Sequence, residues 1–292
     1  MTEAPATVLW QAGPPLSLSD RGWCYGDGVF ETLLCTPRGL WLLPRHLRRL
    51  ERGLAALALE APPRDQLAEL LDEARSAYEC SGSEHAVLKL FASAADGPRG
   101  YRRGRGHPIV LRAQLQLRAA VQANTTVVCR VSSHRLPESA ALSGLKHLAR
   151  VEQVLGALPL ADWVCDELLL ADKAGRLCCA TAGNLLLECA GELLTPPVHG
   201  SMIEGTLLQT LRDQEELRIR EATLDLSMLP QANGLWSVNS IAGAVRLIFQ
   251  DDAGQQHGQG DSHFATPLIH AVDRSLARDC SWSLAAATGT RR

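Results

Sequence analysis

The chain has 292 residues, 46% of them hydrophobic and 21% charged, with a formal net charge of −3. That apolar content offsets the ordering entropy of a folded chain, and the length suits two moderate domains or one large one. The mildly acidic balance excludes general nucleic-acid and membrane-surface binding, which need a basic face. Among the basic residues only Lys89, Lys146 and Lys173 are lysines, so chemistry that needs a side-chain amine has three candidates.

No run approaches the roughly 20 apolar residues of a membrane span; the most apolar stretch, 158–171, is broken by Asp162, Asp166 and Glu167. The opening MTEAPATVLW carries neither the basic region nor the apolar core of a secretory signal. Nine cysteines at irregular spacings make no C-x-x-C, and no H-E-x-x-H occurs. Neither a metal nor a disulfide framework is expected, and reduced thiols in the cytoplasm account for them.

In chain order, a strand is expected at Thr7–Trp10 before the turn Gly13-Pro14-Pro15, then a hairpin of Val29–Cys35 and Gly39–Leu43 around Thr36-Pro37-Arg38. Leu47, Leu50, Leu54 and Leu57 give Arg45–Ala58 a helical period. Pro62-Pro63 ends it, and a second helix runs from Asp65 to about Tyr78. Strands at Ala86–Phe91 and Pro108–Leu115 complete a first domain, 1–117, with a junction over Leu117–Asn124. The second domain, 118–292, opens with a strand at Thr125–Val131 and an irregular loop through Pro137, then a helix from Lys146 to Leu158. Strands follow at Glu167–Leu170, Arg176–Cys178 and Leu185–Cys189, then a helix over Gly205–Arg212 and strands at Leu235–Val238 and Val245–Phe249. The Gly- and Gln-rich segment 251–263 reads as a loop and Pro267–Leu276 as the last helix. Strands and helices mixed in two halves describe an α/β or α+β enzyme-like architecture.

Of the three lysines, Lys173 lies in the turn D-K-A-G and Lys89 on the polar face of A-V-L-K-L-F; both read as solvated. Lys146 stands at a segment junction after Ser143-Gly144-Leu145, where partial desolvation can bring an amine into nucleophilic range. Tyr25-Gly26-Asp27-Gly28 is a glycine turn feeding a strand, without the third glycine and following helix of a dinucleotide site. The helix start Gly205-Thr206 and the turn at Asn239-Ser240 before Ala242-Gly243-Ala244 can each offer N–H groups to an anion. The loop Arg99-Gly100-Tyr101-Arg102-Arg103-Gly104-Arg105 suits a clamp for a small carboxylate better than RNA in an acidic chain.

Together these segments resemble the aminodeoxychorismate lyases among the fold-type IV, branched-chain and D-amino-acid aminotransferase-like, pyridoxal-phosphate enzymes. The resemblance runs from Asp20-Arg21 and Tyr25-Gly26-Asp27-Gly28-Val29-Phe30-Glu31-Thr32 to the terminal helix. Its most specific piece is L-S-G-L-K-H-L-A-R-V-E-Q-V-L over 142–155. It implies a two-domain architecture with the active site between the domains and a cytoplasmic homodimer. It implies Lys146 as the Schiff-base lysine for pyridoxal 5'-phosphate and Arg49, three residues after His46, as a phosphate ligand. Gly205, Thr206 and Ser240 complete the phosphate cup. Arg99, with Tyr25 and Arg102, would meet the substrate carboxylates. The implied reaction turns 4-amino-4-deoxychorismate into 4-aminobenzoate and pyruvate, a step toward folate, with Lys146 also the base that takes the ring proton.

Three positions depart from the family pattern. Cys179 stands five residues before Asn184, where relatives carry the glutamate that pairs with the cofactor's ring nitrogen; Leu208 replaces an arginine, and Ala149 an asparagine. A carboxylate keeps that nitrogen protonated and the ring a strong electron sink; a thiolate would do the same and a neutral thiol would not. Transamination depends on that sink, whereas aromatisation of the product drives the lyase reaction. The alternatives are an aminotransferase acting on D- or branched-chain amino acids, a relative working without pyridoxal phosphate, and a non-catalytic binding protein.

Overall fold

Strand-forming residues around the turn Gly26–Gly28 and two leucine-striped helices generate the first half of the fold. The computed structural model describes residues 7–118, 126–162, 165–200, 202–258 and 260–284. Its elements in order are β1 (Val8–Ala12), α1 (Arg21–Tyr25), β2 (Gly28–Thr36), β3 (Gly39–Trp41), α2 (Leu43–Ala56), α3 (Arg64–Ser81), β4 (Ala86–Ala94) and β5 (Ile109–Leu117). Next come β6 (Thr126–Leu136), α4 (Val151–Ala157), β7 (Glu167–Asp172), β8 (Leu177–Ala180), β9 (Asn184–Cys189) and β10 (Glu192–Thr195). The chain ends with α5 (Thr206–Arg212), β11 (Arg220–Glu221), β12 (Gly234–Asn239), β13 (Gly243–Gln250), β14 (Gln256–His257), α6 (Ala265–Arg278) and β15 (Cys280–Ser281). Among the described residues no helix is long and apolar enough to cross a membrane.

Contacts divide the chain into two units. The first is Met1–Val121 with Leu145–Ala149 and Asp279–Arg292, the second Gln122–Gly144 with Arg150–Arg278. The sequence suggests a single cut at 117/118; the spatial division instead returns two later segments to the first unit. The expected junction over 117–124 lies mostly outside the described residues.

In the first unit six strands form a sheet in the order β1-β5-β4-β2-β3-β15, every pairing antiparallel. Period-two alternation sends Leu33, Leu88, Leu90 and Leu115 to one face, where they meet Leu47, Leu50 and Leu54 of α2 and Leu67 and Leu71 of α3 in one buried cluster. Phe30, Thr32, Lys89 and Phe91 occupy the other face, with Phe30 opposite Phe91 and Thr32 opposite Lys89. Lys89 is partly buried there, not solvated as its sequence context suggests.

The second unit carries a nine-stranded sheet, β11-β10-β9-β12-β13-β6-β7-β8, with β14 added against β13. The Cys179–Asn184 pair brings β8 back to β9, so β9, β12, β13, β6, β7 and β8 close into a barrel. Leu169, Leu185, Leu187, Leu235 and Leu247 fill its buried cluster. Two strands lie in expected loops: β6 continues to Leu136, and β14 falls within 251–263.

The largest difference from expectation is at Lys146. The helix begins only at Val151. Residues 146–148 run extended along β2: the Phe30 N–H donates to the Lys146 carbonyl at 2.9 Å and the Leu148 N–H to Gly28 at 2.9 Å. The apolar period of Val151, Val154, Leu155 and Leu158 is real, but all four are exposed. The edge of β2 wins this segment because hydrogen-bond partners there are otherwise unmet.

The turn before β2 leaves just enough room. Gly26 caps α1 in the left-handed region at φ 66°, and a Cβ there would lie 2.7 Å from the Ala149 Cβ and 2.9 Å from its backbone N. Gly26→Ala is therefore expected to cost about 1–3 kcal/mol through backbone strain and overlap, read as a lowered thermal midpoint; an unchanged midpoint would contradict the close approach.

Candidate active site

Glu31 is the charged centre of the first unit. It interrupts an otherwise apolar inward row between Val29 and Leu33, and it is only 1% exposed. From α2, Arg49 Nε donates to Glu31 Oε1 at 2.8 Å and Arg49 Nη2 to Oε2 at 2.5 Å. His46, one turn earlier on the same helix face, sets Nδ1 2.6 Å from Oε2. Burial pushes the Glu31 carboxyl up, but the Arg49 charge and hydrogen bonds, with those of His46, outweigh it and bring the pKa down to about 2. Burial also lowers the pKa of His46, despite the pull of Glu31, with Arg49 and Lys146 adding to the lowering. A neutral imidazole facing a carboxylate donates from Nδ1.

Lys146 belongs to this neighbourhood. Its backbone is fixed by Phe30, and its Nζ stands 4.4 Å from the centre of the Phe30 ring, a cation–π contact. Phe30 and Phe91 stack at 6.2 Å. Lys89 lies one rung along the same face, about 7 Å along the strand. The Lys146 amine on the Phe30 face, close enough to act on His46, and the Arg49 guanidinium on Glu31 together outweigh that one carboxylate in charge. That donor set fits a phosphorylated aldehyde, with the amine for the carbonyl and the cation for the phosphate.

Asn184 organises the second unit's contribution. It pairs with Cys179 across β8–β9 and with Val238 across β9–β12, and its Nδ2 donates to the Ile203 carbonyl at 2.9 Å. A Cβ on Gly205 would fall 1.9 Å from Asn184 Oδ1, so only glycine fits before α5. Gly205 caps α5 in an extended conformation, and no side chain caps the helix start. Thr206 and Ser240 are buried hydroxyl residues, Ser240 two residues beyond Val238. Cys179, Gly205 and the strand leading to Ser240 thus meet at one asparagine. At the following turn Asn239 Oδ1 accepts from the Ile241 and Ala242 N–H groups at 2.8 and 2.7 Å, so the Ala242 donor, expected to face an anion, is already held.

Cys179 is buried, and burial, reinforced by Cys178 and Glu167 against the weaker pull of Arg150, raises its pKa far above the usual thiol value. It is a neutral thiol at physiological pH. Leu208 is buried on α5, and Ala149 lies against Gly26. Asp172, Cys178 and His199 converge within 4.8 Å, but Asp172 already accepts from the Ala174 and Arg176 N–H groups and from Arg176 Nε, and burial raises Cys178 to about 12.

The arginine loop is built on the glycine turn. Arg21 Nε donates to Asp27 Oδ2 at 3.0 Å, and Arg103 holds both Asp27 oxygens at 2.8 and 3.0 Å. Arg21 also donates to the carbonyls of Gly100 at 2.9 Å and Tyr101 at 3.1 Å. Tyr25 meets Tyr101 edge to face at 5.3 Å. Arg99 and Arg102 are exposed and make no ion pair among the described residues. Arg103 belongs to the loop whose sequence suits a carboxylate clamp, and Arg21 is not singled out in sequence; both instead hold the loop.

The profile of the amino-transferase class IV family matches residues 28–247, and the chain belongs to that family. An aminodeoxychorismate lyase of Vibrio harveyi is 27% identical over 247 residues, covering 82% of this chain and 89% of that one. A putative branched-chain-amino-acid aminotransferase of Methanocaldococcus jannaschii is 25% identical over 241 residues, covering 81% and 83%. The crystal structure of 4-amino-4-deoxychorismate lyase from Pseudomonas aeruginosa superposes with a TM-score of 0.73 at 28% identity, over 92% of this chain and 98% of that one.

Replacing Glu31 by Gln keeps the shape and leaves the buried Arg49 without its counter-charge. It is expected to cost about 3–5 kcal/mol at neutral pH in denaturant unfolding. Because the folded pKa lies below the ordinary value of 4.5, the stabilisation is present above pH 4.5 and disappears as pH falls toward 2. The gap between variant and wild type should close over that window; a pH-independent gap would contradict it.

Proposed function

We propose that this protein is a pyridoxal-phosphate-dependent lyase that converts 4-amino-4-deoxychorismate to 4-aminobenzoate and pyruvate, a step toward folate. The observation that carries the choice of lyase over aminotransferase is the buried neutral thiol of Cys179, at the position where the family resemblance would put the partner of the cofactor's ring nitrogen. Lys146 would take the cofactor aldehyde, Arg49 and the hydroxyls of Thr206 and Ser240 would hold its phosphate, and Gly205 opens the helix whose backbone N–H groups would face it. When bound, the cofactor supplies a sink for the electron pair of the breaking C–H bond.

With its amine freed once the substrate's own amine has replaced it, Lys146 would accept the ring proton from the carbon that bears the substrate amine. The C–O bond to the enolpyruvyl group breaks, its electron pair leaves on oxygen, and protonation gives pyruvate as the ring becomes aromatic. A neutral thiol at that position would leave the sink weak, and aromatisation would compensate for that only in this reaction. Arg99 and Arg102, with Tyr25, receive the substrate carboxylates, and Lys89 adds a second ammonium on the Phe30 face.

An aminotransferase acting on branched-chain or D-amino acids is the second reading, supported by the Methanocaldococcus relative at comparable identity. The protein supplied with pyridoxal phosphate should absorb in the near-visible, and borohydride should leave a pyridoxyl mass addition on Lys146. Incubation with 4-amino-4-deoxychorismate should release 4-aminobenzoate and pyruvate in equal amounts, and Lys146→Ala should lower the rate at least about 100-fold. Amino-group exchange between an amino acid and a keto acid, without 4-aminobenzoate, would instead establish the second reading. Cys179→Glu should raise that exchange activity; no gain in a variant that still binds cofactor would remove the argument from the thiol.

The exposed row Val151, Val154, Leu155 and Leu158 on and after α4 supports a homodimer closed by this face. Val154→Glu is expected to shift the protein toward monomer in sedimentation. The cysteines, with no disulfide among the described residues, suit a cytoplasmic setting.

A further inference from the structure

We propose that Asp27 positions the 99–105 loop for substrate capture by holding Arg21 and Arg103, and so determines where Arg99 and Arg102 present their guanidinium groups. The inference rests on the reading that these two arginines meet the substrate's carboxylates.

Asp27 is 13% exposed and lies against two guanidinium groups whose side chains are 4% and 14% exposed. One carboxylate thus compensates two nearly buried cations, and its pKa is lowered because Arg103 and Arg21 outweigh the cost of burial. Each arginine spends its remaining donors on backbone. Arg103 reaches the carbonyl of Leu57 at 2.5 Å and that of Ala58 at 3.3 Å, which ties the loop to the end of α2. Arg21 reaches Pro98 at 3.5 Å, Gly100 at 2.9 Å and Tyr101 at 3.1 Å. Those three carbonyls bracket Arg99 and immediately precede Arg102.

The result is a loop with a fixed backbone and exposed, cationic tips: Arg99, Arg102 and Arg105 are all exposed, as is Tyr101. Stability alone gives no reason to bury two guanidinium groups beneath three exposed arginines. Holding like charges close together is costly without a counter-ion, and worthwhile where an anionic ligand must find them in place. Without Asp27 the two buried guanidinium groups repel each other, and the loop loses its seat. Asp27 reaches neither the substrate nor the cofactor in this account, so it is a positioning residue.

The test is steady-state kinetics of the cofactor-loaded enzyme on 4-amino-4-deoxychorismate, with Asp27→Asn, Arg103→Gln and Arg99→Ala alone and in pairs. Asp27→Asn should raise KM about 10-fold or more with kcat within about threefold, and leave the bound-cofactor absorbance unchanged. Arg99→Ala should raise KM about 10- to 100-fold in the wild-type background. In the Asp27→Asn background it should add less than about twofold, because the guanidinium is already misplaced. Fully additive penalties, or a fall in kcat with KM unchanged, would overturn the inference. Should Asp27→Asn not fold, Arg103→Gln gives the same cycle. Arg99→Ala and Arg102→Ala that both leave KM unchanged would overturn the carboxylate reading itself, and the inference with it. An enzyme that does not turn over this substrate would overturn the lyase reading; tryptic cleavage at 99–105 then decides for Asp27, faster cleavage in Asp27→Asn supporting the anchor and an unchanged rate overturning it.

Discussion

The turn at Gly26–Gly28 is the constraint on which the first unit's chemistry depends. A Cβ on Gly26 would meet Ala149, and one on Gly28 would lie 2.6 Å from the Ala92 carbonyl and 2.9 Å from the Leu148 side chain. Two missing side chains thus admit the five-residue excursion that carries Lys146 onto the edge of β2. Backbone hydrogen bonds to Phe30 and Gly28 then fix it. Between the glycines, Asp27 holds Arg21 and Arg103 and seats the arginine loop. One turn therefore sets both a candidate nucleophile and a candidate substrate clamp, through close packing on one side and ion pairs on the other. Elements held in this way are pre-organised, and their groups need no reordering on binding.

Glu31 shows a different economy. Desolvating a carboxylate costs several kcal/mol, and a buried ion pair often does no more than break even against apolar packing. Its value lies in orientation: a two-point contact with Arg49 and a third with His46 leave the guanidinium little freedom. The exposed pairs Arg75–Glu79 and Arg220–Glu192 have similar distances. In solvent they are screened and orient nothing. Burial makes the difference, since in a low dielectric the pair cannot exchange for water.

Much of this was legible in the sequence where local patterns were strong. The leucine period of α2, the hairpin of β2 and β3, and the glycine before α5 all predicted their elements because propensity and burial agree there. The segment after Lys146 misled for the opposite reason: its apolar period is helical, but β2 offered an unpaired edge that periodicity cannot reveal. Glu31 carried a readable signal, a charge at an inward position of an apolar strand, which implies a buried partner. His46 and Arg49, three apart on one helix, supplied that partner. Asn184 gave no such signal; its role depends on strands that meet only when the barrel closes, and register across three strands is a tertiary property.

The closing seam also explains why a thiol is tolerated at residue 179. Cys179 faces Asn184 at the point where β8 returns to β9, and it is buried beside Leu136, Leu170 and Met202. A glutamate in such surroundings needs a cation or a protonated ring nitrogen, or else it stays protonated itself at a cost to the barrel. A neutral thiol makes no such demand, so the seam is equally sound whether or not anything is bound. Stability of the second unit is thereby uncoupled from any charge at residue 179; in the proposed reaction proton transfer would fall to Lys146, held in the first unit. A reaction whose product becomes aromatic can work under that division, because its driving force comes from the substrate and not from a buried charge in the protein.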